Sequence, residues 1–257
     1  GVAPRATRCK RATPPSALPA GGGRGATLRT LLALAWPIVV SRSSQVVVGI
    51  ADAVMVAPLG AAALAATTTG ATNAFALFIL PMGIVFIVSS FSSQLFGRGD
   101  LAGARRYGWY GLAVAAATQV VALLSLPFVD AALAPFHYAP DVREAMAGYL
   151  ELRLLAGGAV VGTEALANYY GGLGNTRLPM RVSLAAMALN VLGNWLLIDG
   201  NLGAPAMGVR GAALASVLAT GASFLGLLAI FVADGRRHGT ARLRLAELRR
   251  MLRFGLP

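Results

Sequence analysis

The chain contains a run of nineteen residues without a charged side chain, from Gly111 to Val129. As an α-helix, such a run is long enough to cross the ~30 Å hydrocarbon core of a bilayer. Its richness in Ala and Leu favours a helix over the short alternating strands of a membrane barrel. The run therefore predicts an integral membrane protein built from helices.

The composition agrees with that prediction and excludes several function classes. Of 257 residues, 56% are hydrophobic and 12% are charged, which lies outside the range of soluble domains. A net charge of +12 would indicate nucleic-acid binding in a soluble protein, but on this apolar background we expect the lipid bilayer as partner and no nucleic acid. A lone cysteine, Cys9, excludes an internal disulfide. Motifs of zinc enzymes, nucleotide binding or serine hydrolysis are missing, so we expect neither an enzyme nor a cofactor.

Hydropathy divides the chain into three parts. We predict a disordered basic tail over residues 1–29, a six-helix transmembrane lobe over 30–234, and a basic amphipathic linker over 235–257 that ends in the start of a seventh helix. An organelle transit segment is the alternative interpretation of the tail. The six predicted spans cover residues 31–57, 64–96, 108–134, 146–171, 178–198 and 211–233. The fold class is therefore an all-α membrane bundle.

The positive charges predict the orientation of the bundle. With a cytoplasmic N-terminus, the cytoplasmic segments are the tail, 97–106, 174–181 and 235–253, and together they hold eighteen of the 22 Lys and Arg residues. Cytoplasmic loops of membrane proteins carry such an excess. In the last segment, the spacing of Leu245, Leu248 and Leu252 predicts one apolar helical face surrounded by arginines, typical of a helix on the membrane surface.

The two ends of the lobe resemble each other. LRTLLALAWP at residues 28–37 and LRRMLRFGLP at 248–257 share Leu, Arg, Leu and Pro at the same four places. An even number of spans returns the chain to the cytoplasm, so a second copy would start in the orientation of the first. We therefore expect the chain to be one half of a protein of about twelve helices, with the second lobe missing.

Ionisable and amide side chains inside spans predict the functional residues, because a charge in hydrocarbon costs at least ~2.5 kcal/mol and usually faces a cavity or a partner. Asp52 in the first span is the main candidate: a carboxylate there suits a proton carrier, and added oxygen ligands suit sodium. Asn190 and Asn194 share one face of the fifth span through their i,i+4 spacing. Packing between helices is the alternative role of all three residues. Gln45, Ser216 and Thr220 are predicted to complete the same pocket.

A second set of polar residues predicts an intramembrane network. Glu164 and Asn168 share a face of the fourth span, and Arg153 lies nearer its outer end. Arg153 is more readily a partner of a carboxylate than a substrate ligand. Arg42, in the first span, either snorkels towards the headgroups or pairs with Glu164, and the sequence leaves both open.

Several motifs occur in the order found in the multidrug and toxic compound extrusion family, known as MATE, which the chain resembles over residues 31–257. These motifs are DAVMVAPLG followed by AAALAA (52–66), SSQLFGRGD (92–100), YLELR (149–153), GGLGNTRLPM (171–180), the Asn190/Asn194 pair and MGVRGAALAS (207–216). The resemblance implies one lobe of a twelve-helix antiporter that exports cationic, amphipathic compounds in exchange for protons or sodium. It also implies a bacterial inner membrane, in which the positive charges predict a cytoplasmic N-terminus.

The same resemblance assigns roles to individual residues. Asp52 matches the family's first-helix acidic residue, implicated in cation coupling, and Asn190 matches a fifth-helix polar residue of the same pocket. Asn194 stands where some members have Asp, which is similar to the NorM-like branch and leaves the coupling ion open. If that ion is sodium, Asp52 and Asn190 are the expected ligands.

Two other functions stay open from the sequence. A flippase for lipid-linked precursors would have a related fold, but would need a more cationic cavity than Arg42 and Arg153 provide within the spans. A membrane scaffold without transport would use Asp52 and the asparagines for packing alone.

Overall fold

The computed structural model describes residues 24–238 and 244–255 of the chain, and the described residues are mostly helical. The helices are α1 (Arg24–Val56), α2 (Ala61–Gly97), α3 (Leu101–Ser125), α4 (Val129–Leu133), α5 (Pro140–Leu154), α6 (Gly157–Gly172), α7 (Arg177–Leu197), α8 (Gly208–His238) and α9 (Leu245–Gly255). Short 3-10 turns lie at Ala57–Leu59, Leu126–Phe128, Ala134–Phe136 and Asn201–Gly203. α1 and α2 continue through Pro37 and Pro81.

Five segments of the described chain are long and apolar enough to cross a membrane: Leu28–Leu59, Ala61–Gly97, Leu101–Phe136, Arg177–Leu197 and Gly208–Gly235. The pair α5 and α6 passes the same test jointly and is bent by 50° at its break. The prediction of a six-span helical bundle is thus confirmed when this bent pair is taken as one span.

The fourth predicted span, residues 146–171, is not one continuous helix but breaks between Leu154 and Gly157. The backbone N–H of Gly158 donates to Oε1 of Gln119 at 2.8 Å, and Nε2 of Gln119 donates to the carbonyl of Leu154 at 3.4 Å. Gln119, from α3, thereby satisfies backbone groups that the break frees. Hydropathy carries no signal of such a contact between helices.

Two helices extend beyond predicted domain boundaries. α1 begins at Arg24, whereas the predicted tail runs to residue 29. Residues 1–23 lie outside the described residues. α8 extends to His238, past the predicted end of the lobe at residue 234.

Three apolar clusters form the core of the described residues. The largest joins α2, α3, α6, α8 and α9, the second joins α2 to α3, α4 and α5, and a small third one contains Val56, Ile198 and Ala212. α3 and α6 approach closely at Gly111, where a Cβ atom would lie 2.7 Å from Cβ of Ala165. Many large apolar side chains on the bundle surface are exposed, such as Val54, Val121 and Leu124. A bilayer would cover these side chains.

Glycine and aspartate set the turns at two helix starts. Gly60 has φ 106°, a conformation that favours glycine, and it connects the 3-10 turn to α2. Asp100 caps α3 by accepting a 2.7 Å hydrogen bond from the N–H of Gly103. The end of the motif SSQLFGRGD (92–100) therefore leads directly into the start of α3.

The basic segment near the C-terminus contains α9, which packs against the ends of α2 and α3. Met251 is fully buried, Leu248 and Leu252 are half-buried and Leu245 is 75% exposed, so α9 docks mainly through Met251, and the membrane-surface face of Leu245, Leu248 and Leu252 stays a prediction. The carboxylate of Glu247 accepts two hydrogen bonds from Arg106, at 2.8 and 3.0 Å. This ion pair fixes the rotation of α9 about its axis. Residues 239–243 lie outside the described residues.

Candidate functional site

Four polar side chains from three helices form a closed hydrogen-bonded ring, which we call the Asp52 ring: Asp52 of α1, Asn190 and Asn194 of α7, and Ser216 of α8. Nδ2 of Asn194 donates to Oδ1 of Asp52 at 2.5 Å and to Oδ1 of Asn190 at 3.3 Å. Nδ2 of Asn190 donates to Oγ of Ser216 at 3.0 Å. The Ser216 hydroxyl donates to Oδ2 of Asp52 at 3.3 Å. Both carboxylate oxygens therefore belong to the ring.

Helix periodicity and small residues assemble the ring. Asn190 and Asn194 lie one turn apart on the same face of α7. Ser216 reaches them because α7 and α8 approach closely: a Cβ atom on Gly193 would lie 2.9 Å from Cβ of Ala215. Small residues permit such contacts between membrane helices.

The ring is shielded from solvent and keeps one free acceptor. Asp52 is 7% exposed, and Asn194 is fully buried. When Asp52 is ionised, the amide of Asn194 points its nitrogen at the carboxylate, because two oxygens would repel each other there. Its Oδ1 has no hydrogen-bond partner among the described residues. In the same residues, His, Cys, Asp and Glu form no group of three or more that would hold a metal ion. A cation in the ring would therefore rely on one carboxylate with amide and hydroxyl oxygens.

A cationic side chain lies near the ring without joining it. Arg153, on α5, is half-buried and lies within electrostatic range of Asp52. Nε of Arg153 is buried with no hydrogen-bond partner in the described part of the chain. Tyr149, one turn earlier on α5, is 1% exposed and also lies within electrostatic range of Asp52. The carboxylate thus has neutral donors in contact and one positive charge nearby.

A second polar network ties α1 to α6. The guanidinium of Arg42 donates from Nη1 to Oε2 of Glu164 at 3.1 Å and from Nη2 to Oε1 at 2.5 Å. Nδ2 of Asn168 donates to Oε1 of Glu164 at 3.2 Å. The Arg42 side chain is 47% exposed, against 10% for Glu164. Arg42 precedes Asp52 by ten residues, about 15 Å along a helix, so α1 carries two separate polar sites.

The structure brings together some of the residues that the sequence grouped and separates others. Gln45 is exposed and Thr220 is half-buried, and neither hydrogen bonds to the Asp52 ring within the described ranges. Gln45 shares the face of Asp52 on α1 but lies about 10 Å away along the axis. Arg153 was grouped with Arg42, Glu164 and Asn168, but among the described residues it does not hydrogen bond to them, and it lies within electrostatic range of Asp52. The alternatives left open for Arg42 are decided in favour of Glu164.

Sequence reasoning missed two contributors. The hydroxyls of Ser41 and Ser183 lie 2.7 Å apart and join α1 to α7 on the N-terminal side of Asp52 along α1. Tyr149 lies beside the ring, but an aromatic residue in an apolar span gives no signal of that position. For the serine contact, the signal available in the sequence was the polar residue Ser41 beside Arg42 within an apolar span.

Comparison with known proteins identifies the family. The MatE family model matches residues 37–196. The chain is 31% identical over 237 residues to the probable multidrug resistance protein NorM of Pseudomonas putida, covering 90% of this chain and 51% of that protein. It is 32% identical over 198 residues to the probable NorM of Neisseria meningitidis, covering 74% and 42%. The chain thus spans about half the length of these curated relatives.

Solved structures share the fold. An outward-facing multidrug resistance MATE family transporter of the MOP superfamily superimposes with a TM-score of 0.75 at 21% identity, covering 87% of this chain and 50% of that one. Proteins of the family are in general neither enzymes nor dependent on a cofactor. On the family model, the relatives and the shared fold, the chain is a NorM-like member of the MatE family.

Proposed function

We propose that the chain is the N-terminal six-helix lobe of a secondary active efflux antiporter. The complete protein exports organic cations and other toxic compounds in exchange for protons or sodium. The observation that carries this proposal is the Asp52 carboxylate, which is buried in a membrane span and hydrogen-bonded to neutral donors. The length of the chain, about half that of its curated relatives, supports a second lobe.

Coupling follows from competition at Asp52. An ionised carboxylate in an apolar span attracts a positive charge, and the ring offers oxygen atoms for a small cation. A proton or a sodium ion from outside neutralises the carboxylate, so a cationic compound loses its attraction and leaves. Exchange arises because the two positive species share one negative charge. Asn194 and Ser216 orient the carboxylate through their hydrogen bonds.

The second polar network disfavours the flippase alternative. A diphosphate carrier needs unpaired cations facing its cavity. Arg42 is instead held by both carboxylate oxygens of Glu164. Arg153 lies close enough to act on the negative charge of Asp52. A membrane scaffold without transport would not require a buried carboxylate beside an unsatisfied hydrogen-bond acceptor, Oδ1 of Asn194.

One ion pair supports the predicted orientation of the bundle in the membrane. Arg106 of α3 and Glu247 of α9 meet, so two of the segments predicted to be cytoplasmic lie at the same end of the bundle. Loops rich in Lys and Arg remain on the cytoplasmic side. We therefore propose a bacterial inner membrane with the N-terminus in the cytoplasm.

The test is transport by the protein expressed from its native gene, reconstituted in liposomes with either a proton or a sodium gradient. Export of a fluorescent cation such as ethidium is measured for wild type and for Asp52→Asn. We expect the substitution to abolish ion-driven export, while Asp130→Asn, which removes an exposed carboxylate, leaves it unchanged. Equal, ion-dependent export by Asp52→Asn would refute the proposal.

A further inference from the structure

A cavity of about 330 Å³ lies between α2, α3 and α9, at the end of the bundle opposite the Asp52 ring. The two sites lie at opposite ends because α1 and α2 run antiparallel, with Asp52 near the end of α1 and the cavity at the end of α2. The cavity is lined by Phe91, Gln94, Leu95, Arg98, Tyr107, Ala246, Glu247 and Arg250. It plays no part in the coupling scheme above.

The charges around the cavity are unbalanced. Its one carboxylate, Glu247, is already occupied by two hydrogen bonds from Arg106 and one from Tyr110. The other two charged side chains of the lining are Arg98 and Arg250, and neither forms an ion pair with a described acidic residue. Two guanidinium groups therefore remain for an anionic ligand, and guanidinium binds phosphate through paired hydrogen bonds.

Apart from the amide of Gln94, the rest of the lining is apolar or aromatic and extends into the membrane span. Phe91 and Tyr107 stack with their ring centroids 4.6 Å apart, and Arg250 lies 5.7 Å from the ring centre of Phe91. Arg98 follows the last residue of α2, whereas Phe91 lies about two turns inside it. The cationic part of the cavity thus lies at the membrane boundary. Its apolar part lies deeper, at the level of the lipid acyl chains.

The cavity is built on a firmly docked helix. Met251 of α9 is fully buried, and a Cβ atom on Gly255 would lie 2.9 Å from Cα of Ile84. Leu245 and Phe254 of α9 are exposed apolar residues. At the end of a membrane span, such side chains enter the headgroup region. A lipid is therefore the molecule that the surroundings supply.

We propose that this cavity is a binding site for an anionic phospholipid, with its phosphate between Arg98 and Arg250 and an acyl chain along Phe91 and Leu95. A free phosphate would use the cations and leave the apolar wall uncovered. A zwitterionic lipid would bring a second positive charge towards the two arginines. Basic pockets between helices at a membrane boundary suit anionic headgroups.

The test compares lipids with matched acyl chains. The protein expressed from its native gene is purified and stripped of lipid, and phosphatidylglycerol or phosphatidylcholine is added back, with binding measured by native mass spectrometry. We expect phosphatidylglycerol to bind at least about tenfold more tightly. Arg98→Gln and Arg250→Gln should each weaken that binding, and the double variant should bind both lipids equally. Arg253→Gln, on α9 but outside the lining, is the matched control and should change nothing.

A loss of lipid binding in the Arg98 variant would not result from misfolding. Arg98 contributes its backbone N–H to the end of α2, while its side chain is exposed, so Arg98→Gln preserves the fold. Equal binding of the two lipids by wild type, or full binding of phosphatidylglycerol by the double variant, overturns the proposal. Displacement of phosphatidylglycerol by glycerol phosphate at equal concentration also overturns it, because the acyl chain would then contribute nothing.

Discussion

The carboxylate of Asp52 accepts a 2.5 Å hydrogen bond from the side-chain amide of Asn194, which lies 142 residues later in the chain. Through this contact α1 and α7 share one buried polar site, and Ser216 adds α8 to it. A polar contact inside a membrane bundle contributes modestly to stability, but leaving one partner unsatisfied is costly. The ring therefore links the stability of the lobe to the state of its carboxylate.

Replacing Asn194 by Leu tests that link. The substitution keeps the size of the side chain but removes the donor to Asp52, so we expect a loss of about 1–3 kcal/mol in unfolding free energy. In an Asp52→Asn background the same change should cost less, because no charge is left without a donor. A double-mutant cycle measured by unfolding in detergent should give a coupling energy of about 0.5–3 kcal/mol. If the free-energy changes of the two substitutions were simply additive, Asp52 and Asn194 would not be in contact.

The Arg42–Glu164 pair predicts an order of stabilities. Arg42→Lys retains the charge but not the paired geometry, and should cost about 1 kcal/mol since the guanidinium is half exposed. Arg42→Met should cost more, because Glu164 is then a mostly buried charge without a partner. Adding Glu164→Gln to Arg42→Met should recover part of the loss.

The matched control for that series is Arg143→Met. Arg143 pairs with Asp130 at 3.9 Å, and both side chains are well exposed, so the change should be close to neutral. Thermal unfolding midpoints of the five proteins provide the comparison. A loss for Arg143→Met equal to that for Arg42→Met would show that burial of Glu164 is irrelevant.

Close packing of α3 against α6 predicts the effect of one methyl group. Gly111→Ala places its Cβ 2.7 Å from Cβ of Ala165, so the helices must separate, at an expected cost of about 1–3 kcal/mol. Gly221→Ala, on α8, meets no atom within 4 Å and should be neutral or stabilising by up to about 1 kcal/mol. Unfolding in detergent distinguishes the two variants. Equal effects would mean that α3 and α6 are not in close contact.

The contact of α9 predicts a pH dependence. Burial disfavours the charged form of Glu247, but hydrogen bonds from Arg106 and Tyr110 outweigh it and lower its pKa below the ordinary value of about 4.3. A lowered pKa in the folded state gives stability that is complete above pH ~4.3 and is lost as the pH falls through the folded value.

The measurement is the difference in unfolding midpoint between wild type and Glu247→Gln across that range. We expect wild type to be more stable at neutral pH and its advantage to shrink below about pH 4.3. Glu247→Gln retains the shape of the side chain and removes only the titrating charge. An advantage that stays constant at all pH values would show that the ion pair does not hold α9.

The sequence by itself determined the membrane environment, the six apolar spans and the main polar candidates. These follow from local quantities: a bilayer demands long apolar helices, and a carboxylate such as Asp52 stands out against them. The i,i+4 spacing alone placed Asn190 and Asn194 on one face. Each of these inferences uses residues within a few helical turns.

Only the tertiary structure decided which polar groups meet. Arg42 pairs with Glu164, which the sequence had left as one of two alternatives, and Arg153 lies within range of Asp52, although the sequence had grouped it with Glu164. The break in the fourth span depends on Gln119 from another helix. The physical reason is that such partners depend on the rotation and depth of each helix, which side-chain packing between distant segments sets and no local pattern encodes.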